Sequence, residues 1–467
     1  MDVLTLARFQ FALTIMFHYI FPVLSIGLGV IMVIVETLYV KTGKLSYLQA
    51  SQFWTKIFAL TFAMGVATGI VMEFEFGTNW ATYSRYVGDI FGSALAAEGI
   101  FAFFLESGFL AVVLFGWNRV GKKMHLFSTW MVCLGAHFSA VWIVVANSWM
   151  QTPTGFHIVG EGLNARAEVT SFWEMVLNPS SVIRLSHVIL GCWLAGAFLV
   201  VSVAAYYMLK KRHLAFARKS MQIGFIVAFI SCILQLITGD QSGRIVAKYQ
   251  PSKLAALEAL YKTESAVPLT IFAVVNGKEE KLEHAIQIPK LLSFLSFGST
   301  DAEIKGLDQI PKEDWPNVPV LFNVYRLMLF MWGLMFSLTL IGFYLLYRNR
   351  IEGHPWVLRV MAFSAIFPQL GNQAGWFCAE SGRYPWIVYG LLRISDGLSK
   401  AVTANQVLTS IIMFSAVYLI LFFLFIYLLN EKIKHGPEEG ERDSSTPYHD
   451  LHNLVKSSSL NLNTEEK

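Results

Sequence analysis

Nine apolar runs of spanning length succeed one another along the chain, near residues 9–38, 54–75, 93–117, 126–148, 184–209, 220–238, 318–347, 356–379 and 405–430. Uninterrupted apolar runs of about 18 residues or more predict helices that cross a bilayer. The pattern therefore predicts an all-α, polytopic membrane protein with about nine transmembrane helices. One long polar connection, Gly239 to Pro316, separates the sixth run from the seventh. Inside it, Gln250-Pro251-Ser252 introduces KLAALEALYKTE, a short amphipathic helix with Leu254, Leu257 and Tyr261 on one side. Leu269 to Val275 then alternates like a strand, Asn276-Gly277 signals a hairpin turn, and Leu282 to Ile288 returns. This predicts an ordered cap over the helix ends. The chain thus divides into helices 1–6 (1–238), the extramembrane connection (239–316), helices 7–9 (317–430) and a polar tail (431–467) whose Ser, Glu and Asn content predicts disorder.

Charge gives the runs a direction. Lys41, Lys44 and Lys56, then Arg119, Lys122 and Lys123, then Lys210, Lys211, Arg212, Arg218 and Lys219, and finally Arg348 and Arg350 all lie on alternate connections. By the positive-inside rule those connections are cytoplasmic, which puts the N-terminus and the 239–316 connection outside and, with nine spans, the C-terminus inside. The first run starts close to Met1, is too long for a signal h-region and has no Ala-x-Ala site, so it reads as an uncleaved helix. Composition agrees: 55% of residues are hydrophobic, only 15% are charged, and mean hydropathy is +0.52, which excludes an ordinary soluble domain. The net charge of +4 carries no nucleic-acid signal. Four cysteines lie far apart in apolar segments without a Cys-x-x-Cys, which speaks against a zinc clip or covalent haem attachment.

Ionisable groups within the apolar runs are the candidate chemistry, because a charge in hydrocarbon is costly. The run ending in GWFCAESGRYPW (375–386) carries Glu380 and Arg383, and Pro385 predicts the helix end there. By itself this pair reads as a snorkelling ion pair. The third run carries Glu98 and Glu106, eight residues apart and so on roughly one side of a helix, about 12 Å apart in depth. Stacked acids suit a proton relay; neutral buried acids bonded to neighbouring helices are the plainer alternative. His18, His137 and His187 are embedded. His187 and Met328 both lie near the outer ends of their runs, and a His/Met pair is an axial set for a six-coordinate haem. By composition alone, Met328 is a packing residue. His137 shows no partner and reads as structural.

Taken together, the stretches RFQFALTIMFHYIF, GVATGIVMEFEFGTNW, YVGDIFG, EGIFAFFLES, VANSWMQTP, GDQSG, KLAALEA, YRLM and GWFCAESGRYPW resemble subunit I of the cytochrome bd-type quinol oxidases over the whole membrane portion. The resemblance implies haem iron ligands: His187 and Met328 for a low-spin haem b, and His18 and Glu380 for two high-spin haems. It implies two haem b and one haem d, with a further haem b possible in place of d. Glu98 corresponds to the acid beside the oxygen-reacting haem, Glu106 to a proton-path acid and Asn147 to a polar neighbour. Arg326 and Arg383 correspond to arginines near haem propionates. The 239–316 connection corresponds to the quinol-binding loop, with Lys253 and Glu258 on the residues implicated in oxidising ubiquinol or menaquinol. A second subunit, small accessory subunits and a bacterial cytoplasmic membrane location are implied in the same way. The sequence also departs from the family pattern. Tyr384 replaces a usual Gln, Glu75 stands where Gln can occur, His137 stands where Asn can occur, and the loop is of the short type. An ion transporter without haem and a quinol dehydrogenase without oxygen chemistry are the competing classes. No internal repeat favours the first, and the extra ligands His18 and Glu380 do not suit the second.

Overall fold

The computed structural model describes residues 2–438. Most of the expected tail therefore lies outside the described residues. Among those residues, eight helices are long and apolar enough to cross a membrane. The membrane helices used below are α1 (Val3–Thr42), α2 (Leu45–Gly77), α3 (Gly88–Phe115), α4 (Lys122–Gln151), α5 (Ser181–Leu209) and α6 (Leu214–Tyr249). The loop helix α7 (Pro251–Glu258) follows, then α8 (Val318–Tyr347), α9 (Pro355–Phe363), α10 (Ile366–Ser381) and α11 (Ala404–His435).

The expected ninth span, 356–379, is not one helix but two, α9 and α10. Pro368 is the reason: it has no N–H to offer the Ser364 carbonyl, which is bonded instead by the Phe367 N–H at 3.1 Å. The Ser364 hydroxyl turns back to the Met361 carbonyl at 2.7 Å. Three other boundaries also move. α6 continues to Tyr249, so the start of the expected loop is helical. α10 ends at Ser381, before Pro385. α11 runs on to His435, into the expected tail.

The helices pack as two adjoining rings. In one, α1 packs on α2, α2 on α3, α3 on α4 and α4 on α1; in the other, α5 packs on α6, α6 on α8, α8 on α10 and α10 on α5. α1 and α5 join the rings and meet backbone to backbone. A Cβ on Gly196 would lie 2.3 Å from the Gly27 carbonyl carbon, and one on Gly27 would lie 2.2 Å from the Cys192 carbonyl oxygen. Small residues at such crossings let membrane helices gain dispersion contact where no hydrophobic drive exists. Phe21, Trp54, Phe198 and Tyr207 fill the core around this junction.

In the 239–316 connection, β1 (Leu269–Asn276) and β2 (Lys281–Ile288) form the expected antiparallel hairpin around Asn276-Gly277. The amphipathic helix is shorter than expected. Ala259 adopts the left-handed conformation at φ 51° and stops α7, with the Leu260 N–H returning to the Ala255 carbonyl at 2.8 Å. Both sides of α7 are covered, because it packs on α6 and α8, and Lys253 and Glu258 are buried with the leucines.

Candidate functional site

Glu380 stands near the end of α10, where both carboxylate oxygens are held. Oε1 accepts from Asn147 Nδ2 of α4 at 2.7 Å, and Oε2 accepts from Arg383 Nη2 at 2.5 Å. Asn147 Oδ1 in turn accepts from Arg184 Nη2 of α5. Arg184 is a charge at the start of an apolar run, and the same rule that marked Glu98 marks it; reading it as the run's edge hid it. Glu380, Asn147, Arg383, Tyr384, Arg8 and Trp376 line a cavity of about 410 Å³ with apolar and aromatic walls. The Arg8 guanidinium lies 3.8 Å over the Tyr384 ring, giving that departure from the family pattern a contact of its own.

The cavity suits a flat, anionic macrocycle. Arg383 Nε and Nη1, Arg184 Nε, and the indole N–H groups of Trp80 and Trp376 are buried without a hydrogen-bond partner among the described residues. Buried donors are nearly always paired, and guanidinium forks suit carboxylates. A haem brings two propionates for such donors, an apolar plane for the walls and an iron for a fixed carboxylate, so the residues present fit that group.

Two imidazoles are each met at Nδ1 by a threonine hydroxyl of the neighbouring helix. His18 of α1 has Nδ1 at 2.9 Å from Thr68 Oγ1 of α2. His187 of α5 has Nδ1 at 3.1 Å from Thr238 Oγ1 of α6, and the Gln235 amide donates to its Nε2 at 3.0 Å. In the same ring, Met328 lies against α10, where a Cβ on Gly375 would be 3.1 Å from its sulfur. The structure thus carries His187 and Met328 on two walls of one four-helix ring. His137 differs: Nδ1 bonds its own Cys133 carbonyl at 2.7 Å and Nε2 accepts from Trp193 at 2.9 Å. Its Nδ1 partner is therefore on its own helix, whereas those of His18 and His187 are on the neighbouring one.

Glu98 and Glu106 both face α4. Glu98 Oε1 accepts from Ser139 at 2.5 Å, and Glu106 backs onto Gly135, one turn away on the same helix. A π-turn over Glu98–Phe103 widens α3 here. Such turns re-aim side chains and recur at functional sites.

Below Glu380 the loop is clamped. Lys253 donates to Gln151 Oε1 at 3.0 Å, to Gln250 Oε1 at 3.2 Å and to the Ala379 carbonyl at 2.9 Å. Burial and the nearby Arg184 and Arg383 push its amine well below the usual lysine range. Glu258 accepts from Arg326 Nη2 at 2.6 Å, and that guanidinium also bonds the Thr270 and Leu257 carbonyls at 2.7 and 3.2 Å. Burial raises the Glu258 carboxyl above its ordinary value, against the pull of Arg326. Among the described residues, Arg326 Nε has no hydrogen-bond partner.

Residues 6–437 match the family described as cytochrome bd terminal oxidase subunit I. The chain belongs to that family. It is 38% identical over 449 residues to the cytochrome bd ubiquinol oxidase subunit 1 of Bacillus subtilis (strain 168), covering 94% of this chain and 95% of that protein. It is 35% identical over 511 residues to the cytochrome bd-II ubiquinol oxidase subunit 1 of Escherichia coli (strain K12), covering 95% and 99%. Its fold matches the bd oxidase structure from Geobacillus thermodenitrificans with a TM-score of 0.87 at 26% identity, over 93% of this chain and 99% of that one. As a bd-family subunit I built of apolar helices, the chain is an integral membrane protein. Within this bd fold, the structure joins Glu380, Asn147 and Arg383 directly, and Glu258 with Arg326. His18 and the pair Glu98 and Glu106 lie on α1 and α3 of one ring, and His187 and Met328 lie on α5 and α8 of the other, which also includes the Glu380 helix α10. Thr68, Thr238, Ser139, Arg184 and Gln151 are site neighbours that the sequence reading missed.

Proposed function

We propose that the chain is the haem-bearing subunit of a terminal quinol oxidase, which oxidises quinol on the outer face and reduces oxygen to water with protons drawn from the cytoplasm. The carrying observation is the Glu380–Asn147–Arg383 constellation on an aromatic cavity with buried, unpartnered guanidinium N–H groups. His187 and Met328 would hold a low-spin haem b, and His18 and Glu380 the two high-spin haems, one b and one d. Held by these residues, such haems would supply electron transfer and oxygen chemistry. Arg383 would hold propionates through its free N–H groups. Glu98, steadied by Ser139, and Glu106 beside it would pass protons from the cytoplasmic side along α3.

The 239–316 connection would dock ubiquinol or menaquinol. Glu258, with its raised affinity for a proton, would take one from quinol and release it outside, while Lys253 ties the loop to the helix that carries Glu380. Opposite-sided release and uptake then build a proton gradient without a pump. The N-terminus would lie outside and the C-terminus in the cytoplasm of a bacterium, with subunit II as the partner and small accessory subunits beside it. The test is the purified complex. A reduced-minus-oxidised spectrum and a pyridine haemochrome should count three haems per complex, with oxygen consumed on quinol addition. Absence of haem bands from an intact complex would overturn the reading.

A further inference from the structure

Both imidazoles proposed as iron ligands rest in the same kind of cradle, and the cradle comes from the neighbouring helix each time. Thr68 Oγ1 bonds the Met64 carbonyl at 2.8 Å, and Thr238 Oγ1 bonds the Leu234 carbonyl at 3.1 Å. A carbonyl can only accept, so each hydroxyl gives its hydrogen away along its own helix. Toward His18 Nδ1 at 2.9 Å and His187 Nδ1 at 3.1 Å each oxygen can then only accept. The proton must sit on Nδ1, and Nε2 carries the lone pair. At His187 that lone pair is met by the Gln235 amide, whose own Oε1 is buried without a partner among the described residues and so anchors it poorly.

The residue after each threonine is glycine. A Cβ on Gly69 would lie 3.3 Å from His18 Cε1, and one on Gly239 would lie 3.5 Å from His187 Cε1. Each ring therefore lies close against bare backbone beside the hydroxyl that orients it. The other embedded histidines lack this arrangement. His137 takes its Nδ1 acceptor, the Cys133 carbonyl at 2.7 Å, from its own helix, and His125 is held by the Glu36 carboxylate at 2.7 Å with the Trp117 ring tilted over it at 3.7 Å between centroids.

We propose that Thr68-Gly69 and Thr238-Gly239 are positioning pairs that fix His18 and His187 in the one tautomer able to bind iron through Nε2. This rests on the ligand roles proposed above. Outer-shell acceptors fix the tautomer and raise the basicity of a metal-bound imidazole. A hydroxyl does so more weakly than a carboxylate, so both centres are poised at higher potential than a carboxylate acceptor would allow.

The test uses the purified, haem-loaded complex and reads haem content and reduction midpoints rather than turnover. Thr238→Val removes the acceptor at constant shape. The low-spin band should shift its midpoint upward or be retained about 10- to 100-fold less well. Thr238→Ser should restore the wild-type midpoint, and Thr238→Asp should move it downward, a reversal of sign that a packing role would not give. Thr68→Val should do the same for the centre on His18 and leave the low-spin band alone. His187→Ala is the control for the ligand itself. If it abolishes the low-spin band while Thr238→Val leaves midpoint and content unchanged, the cradle is refuted and the ligand stands. A Ser variant as damaged as the Val variant would also refute the cradle. If His187→Ala keeps the band, the ligand reading falls first.

Discussion

Arg383 gives one nitrogen to Glu380 and has two N–H-bearing nitrogens left in a buried wall. That division of labour makes an anchor for a second anion out of what sequence alone makes a surface ion pair. Met328 is the reverse case, since its thioether carries no charge and lies against Gly375 of α10. Met328→Leu should therefore leave the chain inserted but convert the low-spin haem to high-spin or lose it; an unchanged low-spin spectrum would remove Met328 as a ligand. Glu258 yields a pH signature. Its carboxyl holds a proton to a higher pH than an ordinary glutamate, whose value is 4.5. Below that raised value it already carries a proton and cannot take one from quinol, so quinol-driven haem reduction should fall on the acid side. Glu258→Gln should be slow throughout and lack that acid limb, and a limb that persists in the variant would assign it elsewhere. At this scale the sequence reading found carboxylates and imidazoles because charge in an apolar run stands out. Thr68 and Thr238 stayed hidden because a threonine inside a membrane helix looks like filler, and only the helix beside it shows what its oxygen accepts.

Helices were legible wherever apolar residues mark their length. They were not legible where the helix outruns the apolar stretch or stops inside it. GDQSGRIVAKY (239–249) is polar, yet it continues α6 without a break. Pro368 lies in a run that looks continuous, yet it divides α9 from α10. The acids of α3 were expected on a single side, and both do face α4. Glu106→Gln should slow oxygen reduction while haem content stays near normal; full turnover with full haem would take it off the proton path. The crossing of α1 and α5 supplies a separate prediction. Gly196→Val puts a side chain where the Gly27 backbone already lies at 2.3 Å. Overpacking of this kind costs about 1–3 kcal/mol or more. The midpoint of thermal unfolding in detergent should drop, and the variant should lose haem on heating sooner than wild type; an unaltered melting curve would mean the two helices can separate freely.

For the whole molecule, two rings of four helices meet at α1 and α5, and the loop is laid across one of them. Neither the ring closure nor the burial of α7 on both faces follows from periodicity, since one hydrophobic stripe predicts one covered side. The loop is pinned at two places on the same short helix: by Lys253 to Gln151 and the Ala379 carbonyl, and by Glu258 to Arg326. The tip of the hairpin, Lys278 to Glu280, is exposed and touches neither pin. A protease nick at that tip should therefore leave both severed ends moored, like a bridge cut at mid-span with its abutments intact. The nicked protein should migrate as two fragments on a denaturing gel and yet keep its quinol-driven haem reduction. If the fragments drift apart under native conditions, the moorings are weaker than their geometry implies.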